Sequence, residues 1–172
     1  MHDTKKFLEI KKGIDVRNIG CLYNCDDYSS VPKVNGVYYV FTKNPIKCSK
    51  KSLNRIPYCI YEDKIPYYKH EYLIKKLKLS YKDNNQILYI GFGQLRSRIS
   101  SLTKMVCQNK RTKHKGGIAL NSLKKYASQI YVCWFKTDKS EYESNQLIEF
   151  SQNNGYLPFA NFSVNKPRKH FS

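Results

Sequence analysis

The chain is 172 residues long, 41% hydrophobic and 14% aromatic, with a formal charge of +18 from 31 Lys and Arg against 13 Asp and Glu. That suffices for one packed domain with a single core, and is too apolar for a disordered basic tail. No apolar run approaches the roughly 18 residues that span a bilayer, and no apolar signal-peptide core follows the first lysines, so a cytosolic protein without a membrane partner is expected.

The chain opens with a stretch near Thr4 to Lys12 that can form a short helix, and Gly13 and Gly20 interrupt the residues after it. Residues 1–33 then read as an N-terminal extension to the first strand. That strand, Val34 to Phe41, is β-branched and aromatic and stops at Asn44-Pro45. A Lys-, Pro- and Tyr-rich segment, about 46–86, comes next and holds a helix around Glu71 to Leu79. The second strand is Ile87 to Gly91. Leu95, Ile99, Leu102 and Val106 recur at helical spacing. Gly116-Gly117 is expected to break the chain, and Ile118 to Tyr126 to be helical. Gln129 to Phe135 reads as a third strand, apolar enough to be buried on both faces. A last helix begins at Ser140, with Glu143 at capping-box spacing, and ends before Asn153-Asn154-Gly155. The economical arrangement is α+β: a small central sheet with helices against it.

The charge is unevenly spread. No acid occurs from Asn84 to Thr137, while Arg96, Arg98, Lys104, Lys110, Arg111, Lys113, Lys115, Lys124, Lys125 and Lys136 supply positive charge. A solvated, lysine-rich surface explains the total, but an acid-free block this long points to a polyphosphate partner. Six cysteines (Cys21, Cys25, Cys48, Cys59, Cys107, Cys133) lack tight Cys-x-x-Cys pairs. They read as free thiols; a zinc site of Cys21 and Cys25 with Cys48, Cys59 or His70 is the lesser alternative.

Gly36-Val37-Tyr38 on one strand and Tyr89-Ile90-Gly91 on the next resemble the paired tripeptides of the GIY-YIG nuclease family. Leu95-Arg96-Ser97-Arg98 resembles that family's Leu-x-x-Arg, His114-Lys115-Gly116-Gly117 a His-containing turn, and Leu157-Pro158-Phe159-Ala160-Asn161 its closing Pro-x-x-Asn. Glu143 sits like its metal-binding glutamate. The order of these elements, from Gly36 to Asn161, carries the resemblance. It implies a three-stranded antiparallel sheet flanked by helices, in a single domain over 1–172, with 46–86 inserted between the first two core strands. It also implies a metal-dependent DNA endonuclease using Mg²⁺ or Mn²⁺, with no small-molecule cofactor. The setting implied is the cytoplasm of a bacterial or phage system, of restriction or mobile-element type. The alternative is a non-catalytic, basic nucleic-acid-binding protein that keeps the fold.

By the same resemblance the catalytic set is Tyr38, Tyr89, Arg98, His114, Glu143 and Asn161. Glu143 would hold the metal and Arg98 the scissile phosphate, with its fork of charged donors. Tyr38 or Tyr89 would take the proton of the attacking water, with His114 orienting Tyr38 or acting as the base itself. Asn161 would brace the site. Arg96 competes with Arg98 for the phosphate, and Glu141 and Glu149 with Glu143. At about 100° per residue, however, Glu143 shares a face with Leu147 and Phe150, whereas the other two point elsewhere. Arg96, Lys104, Arg111, Lys113, Lys115, Lys124 and Lys125 are the candidate DNA contacts. A single site cuts one strand at a time, so a homodimer on a duplex target is one expected form.

Overall fold

The computed structural model describes residues 15–25, 28–47, 49, 53–54, 69–108 and 114–164. The elements run β1 (Asp15–Asn18), α1 (Ile19–Cys25), β2 (Asn35–Thr42), α2 (His70–Lys82), β3 (Ile87–Gln94), α3 (Leu95–Gln108) and α4 (Lys115–Asn121). A 3₁₀ turn (Lys124–Gln129), β4 (Ile130–Lys136) and α5 (Glu141–Asn154) complete the order. The fold is α+β, an antiparallel sheet flanked by helices. The short helix expected near Thr4 to Lys12 lies outside the described residues.

The sheet has four strands rather than three, in the order β1-β4-β2-β3. β2 has β3 on one side, with Tyr38 opposite Gly91, and β4 on the other, with Tyr38 opposite Trp134. The added strand is β1, which pairs with β4 from Asp15 opposite Trp134 to Asn18 opposite Tyr131. Val16 is the only strong strand former in Asp-Val-Arg-Asn, so this strand exists because the edge of β4 offers it partners. The segment before β2 is therefore part of the fold: Ile19, Leu22 and Val31 are buried in the main core.

Because side chains alternate along a strand, β2 feeds two cores. Tyr38 and Val40 point into the larger, built with Trp134 and Val132 of β4, with Leu95, Ile99, Leu102 and Val106 of α3, and with Ala119 and Leu120 of α4. Val37, Tyr39 and Phe41 point into the smaller, with Ile90, Cys133 and Leu147 of α5. In β3 the register slips: Val40 pairs with Tyr89 but Phe41 with Ile87. Leu88 is thus the extra residue of a bulge, and both Leu88 and Tyr89 reach the larger core.

Segment 46–86 is not a surface appendage in its described part. Ile46, Leu53, Leu73 and Leu77 join the larger core, so a short turn in its place would leave that core open. Further expectations fail for physical reasons. Gly116-Gly117 does not break the chain but lies in the first turn of α4, whose amide at Gly117 is capped by the His114 side chain. That helix ends at Asn121, short of Tyr126, and the chain continues as the 3₁₀ turn. Ser140 makes no side-chain cap for α5, because its backbone is already helical (φ −63°, ψ −25°) rather than extended as at a capping residue. α5 runs on through Asn153 and Asn154 before Gly155.

Candidate active site

Four elements and one cap bring five of the chosen side chains together. Tyr38 comes from β2, Tyr89 from β3, Arg98 from the first turn of α3, His114 from the cap of α4, and Glu143 from the first turn of α5. The Tyr38 and Tyr89 rings lie 5.8 Å apart between centroids, and His114 lies 5.4 Å from Tyr89 and 6.1 Å from Tyr38. Two glycines make the approach possible. A Cβ on Gly91 would stand 2.5 Å from Tyr38 Oη, and one on Gly116 would overlap the Tyr89 ring. Gly91 is the strand partner of Tyr38, so the missing side chain on one strand leaves room for the phenol of the next.

The proton on His114 can be placed from its partners. Gly117 N–H donates to Nδ1 at 2.9 Å, which leaves that nitrogen unprotonated. Burial, and after it Arg98, hold the ring's pKa down to about 3, so the imidazole is neutral with its hydrogen on Nε2. Nε2 lies 2.7 Å from Tyr38 Oη and therefore donates to it. Neither ring nitrogen keeps a lone pair for a water proton. His114 thus fits the role of orienting Tyr38, not that of the base.

Arg98 lies beside the hydroxyls of both tyrosines, and its positive charge favours their ionised forms. Its Nε is buried and has no hydrogen-bond partner among the described residues. Burial pushes the Tyr38 hydroxyl well above the ordinary range; neighbouring Tyr89 adds to this and Arg98 opposes it. Tyr89 is also raised by burial, with Arg98 pulling it down and Glu143 pushing it up. Glu143 is buried beside Ser144, Leu147 and Phe150, whereas Glu141 and Glu149 are exposed. The register read from helical spacing is the one observed.

Asn161 stands one step back. Its Nδ2 donates to Ile90 O at 2.8 Å and its Oδ1 accepts from Ile90 N at 2.9 Å. A single carboxamide thereby occupies the outer hydrogen-bonding positions of β3 between Tyr89 and Gly91. Arg96, the rival to Arg98, is committed elsewhere: its Nε donates to Val31 O at 2.7 Å and its Nη2 to Ser29 O at 2.9 Å. It ties down the loop before β2.

As for a metal, no three His, Cys, Asp or Glu side chains converge among the described residues. Glu143 is a buried carboxylate acting on Tyr89. One hard oxygen ligand suits an ion of the Mg²⁺ or Mn²⁺ type that keeps most of its waters, and does not suit zinc. Cys48 and Cys59 lie outside the described residues.

Of the candidate DNA contacts, Lys104, Lys115 and Lys125 are exposed and Lys124 is half-buried. Lys125 stacks its ammonium 5.2 Å from the Tyr126 ring. Arg111 and Lys113 lie outside the described residues. α3 packs on α4 and on the 3₁₀ turn, so the described helices of the acid-free block lie together over the Tyr38 face of the sheet. Comparison of the chain with family models, with curated proteins and with solved structures returned no match. No helix among the described residues is long and apolar enough to cross a membrane.

Sequence reading missed one contributor altogether. Lys76 is buried on α2 and donates to the carbonyl of Asn161. It stands in the lysine-rich run Lys75 to Lys82, where only the position relative to Leu73 and Leu77 separates it from its solvated neighbours.

Proposed function

We propose that this protein is a divalent-metal-dependent DNA endonuclease of the GIY-YIG type, acting at specific sites. The observation that carries the reading is the buried meeting of two tyrosines, a neutral histidine, a carboxylate and an arginine whose Nε has no hydrogen-bond partner among the described residues. Such a donor suits an anionic oxygen, and the basic layer beside it suits a polyanion. Arg98 would bind the scissile phosphate and stabilise charge on its oxygens as they are attacked. A divalent ion held by Glu143 would supply Lewis-acid neutralisation of the phosphoryl and leaving oxygens.

Of the two phenols, Tyr38 is assigned as the base because His114 holds it. His114 Nε2–H donates to its oxygen and the Arg98 charge stands beside it, and both favour the phenolate against the opposing effect of burial. Tyr89 lies next to Glu143, whose charge disfavours a second anion there. Asn161 would hold β3 so that both hydroxyls keep their places. Segment 46–86, which joins the two tyrosine strands, is the proposed source of sequence preference. Cutting both strands would take two copies or two events.

The test is nicking of supercoiled plasmid by purified protein with Mg²⁺ or Mn²⁺, followed by sequencing of the ends. Glu143→Gln keeps size and hydrogen bonding but removes the charge, and should abolish nicking while DNA binding persists. Glu141→Gln and Glu149→Gln should nick like the unaltered protein. Binding without nicking by the unaltered protein would leave the alternative, a basic nucleic-acid-binding protein that keeps the fold. Loss of nicking in Glu149→Gln but not Glu143→Gln would move the metal ligand.

A further inference from the structure

Lys76 is a buried ionisable group for which the proposed chemistry has no use. It is 7% exposed, on the side of α2 that also buries Leu73, Leu77 and Ser80, whereas Lys75, Lys78 and Lys82 face solvent. Its Nζ donates to Pro158 O at 2.6 Å and to Asn161 O at 2.5 Å, and lies 5.0 Å from the Phe162 ring centroid. Burying an ammonium is costly unless its donors are satisfied. Here two carbonyls and an aromatic face provide the compensation, and burial pulls the group's pKa down to about 7.

The two carbonyls close a tight turn, in which Asn161 N donates to Pro158 O at 3.0 Å. The same turn docks on the bulged edge of β3. Ala160 N donates to Leu88 O at 2.8 Å, and the Asn161 carboxamide takes both outward groups of Ile90. Leu88 and Ile90 flank Tyr89, and Ile90 precedes Gly91, the strand partner of Tyr38. A continuous path thus runs from α2, through one ammonium and one turn, to the backbone that carries the tyrosine pair.

We infer that Lys76 is a positioning residue for the tyrosine pair, holding the Pro158–Asn161 turn so that Asn161 fixes β3 at Ile90. The role in cleavage rests on the nuclease reading above; the mechanical role does not. Lys76 touches no reacting atom. It would set the rate through the placement of Tyr89 and Tyr38, and leave DNA affinity alone. A displacement of about 1 Å at reacting groups costs on the order of a hundredfold in rate. It also makes α2, part of the segment joining the two tyrosine strands, a support for the catalytic strand.

The experiment compares Lys76→Met, Asn161→Ala and the double variant in single-turnover nicking and in DNA affinity. The methionine keeps most of the stem and removes the donors. The expected result is a roughly tenfold to hundredfold slower cleavage step for Lys76→Met at nearly unchanged affinity. The double variant should be no slower than Asn161→Ala, because the lysine acts through the asparagine. Additive losses, or a folded Lys76→Met that nicks at the original rate, would overturn the inference. Should Lys76→Met fail to fold, Lys76→Gln takes its place in every arm. Amide hydrogen exchange at Ile90 supplies a readout independent of activity: faster exchange in the variant supports the clamp, and unchanged exchange overturns it. If the unaltered protein does not nick DNA, the nuclease reading fails, and the exchange at Ile90 decides the clamp by itself.

Discussion

Tyr38 and Tyr39 are adjacent in β2, both almost fully buried, and they face opposite sides of one sheet. Burial pushes both hydroxyls upward in pKa. Their surroundings then diverge. Tyr38 meets a guanidinium, a neutral imidazole and a second phenol. Tyr39 donates to Gln146 Oε1 at 3.2 Å, stacks 6.3 Å from Phe135, and has the charges of Cys133 and Glu149 pushing its hydroxyl further up. A buried tyrosine is therefore not in itself a sign of chemistry. What separates the two faces is that one presents a cation and a donor to the phenol, which favour its charged form, and the other does not.

The largest test of that contrast exchanges each hydroxyl for hydrogen. Tyr38→Phe should slow cleavage by roughly 10²- to 10⁴-fold, the usual contribution of a positioned base, whereas Tyr39→Phe should leave the rate within about twofold. Equal losses in single-turnover nicking would erase the distinction between the faces.

A second comparison sets Gly91→Ala against Ile90→Val, neighbours in β3 that face the two cores. The added methyl at Gly91 meets the Tyr38 hydroxyl. It should destabilise by about 1–3 kcal/mol through overpacking and slow cleavage by about a hundredfold through misplacement. Ile90→Val removes one methylene from the smaller core and should cost about 0.5–1.5 kcal/mol without a rate effect. Denaturant melts and nicking rates measure both.

The faces should also differ in acid. His114 is held down to about 3 by burial and Arg98, against about 6.5 in an unfolded chain. Between those values the unfolded state binds the extra proton, so stability falls as pH drops from about 6.5 towards 3, by roughly 1 kcal/mol per unit. His114→Asn, which keeps a capping side chain for α4, should flatten that part of the profile. Tyr39→Phe should leave it unchanged, since that phenol stays neutral throughout the range. Urea melts at pH 7 and pH 4.5 give the comparison.

The smallest effect concerns the layers that cover the sheet. α3 and α4 over Tyr38 lie in the acid-free block, and α5 carries exposed Glu141 and Glu149. Alanine at Lys104 and Lys115 together should reduce the log-log salt slope of DNA binding by about two if both neutralise phosphates. Alanine at Glu141 and Glu149 should leave that slope unchanged.

Much of this was legible in the chain. β2, β3, α3, β4 and α5 announce themselves by β-branched and aromatic runs or by apolar residues at helical spacing, and the inward face of Glu143 came from counting degrees along α5. What escaped depends on distant partners. Asp15–Asn18 has almost no strand character and takes its conformation from the edge of β4. The helix at Gly116-Gly117 needs a histidine cap and a tyrosine ring against a bare Cα. Arg96 and Arg98 are equivalent on paper, and separate only when the carbonyls of Ser29 and Val31 take up the first. The tautomer of His114 depends on which backbone amide reaches it. Lys76 sits among lysines of the same type, and only the turn at Pro158 tells it apart.

The edge of β3 has a consequence for self-association. An outermost strand normally offers a row of free amides and carbonyls on which a second chain can lay its own strand. At Leu88 and Ile90 those groups are already taken, by the Ala160 amide and the Asn161 side chain. At the opposite end of the sheet the outermost strand is β1, only four residues long. Among the described residues, neither margin is a ready template for extending the sheet from molecule to molecule. A second copy docking on the described part of the molecule would therefore meet helical faces more readily than it would extend the sheet.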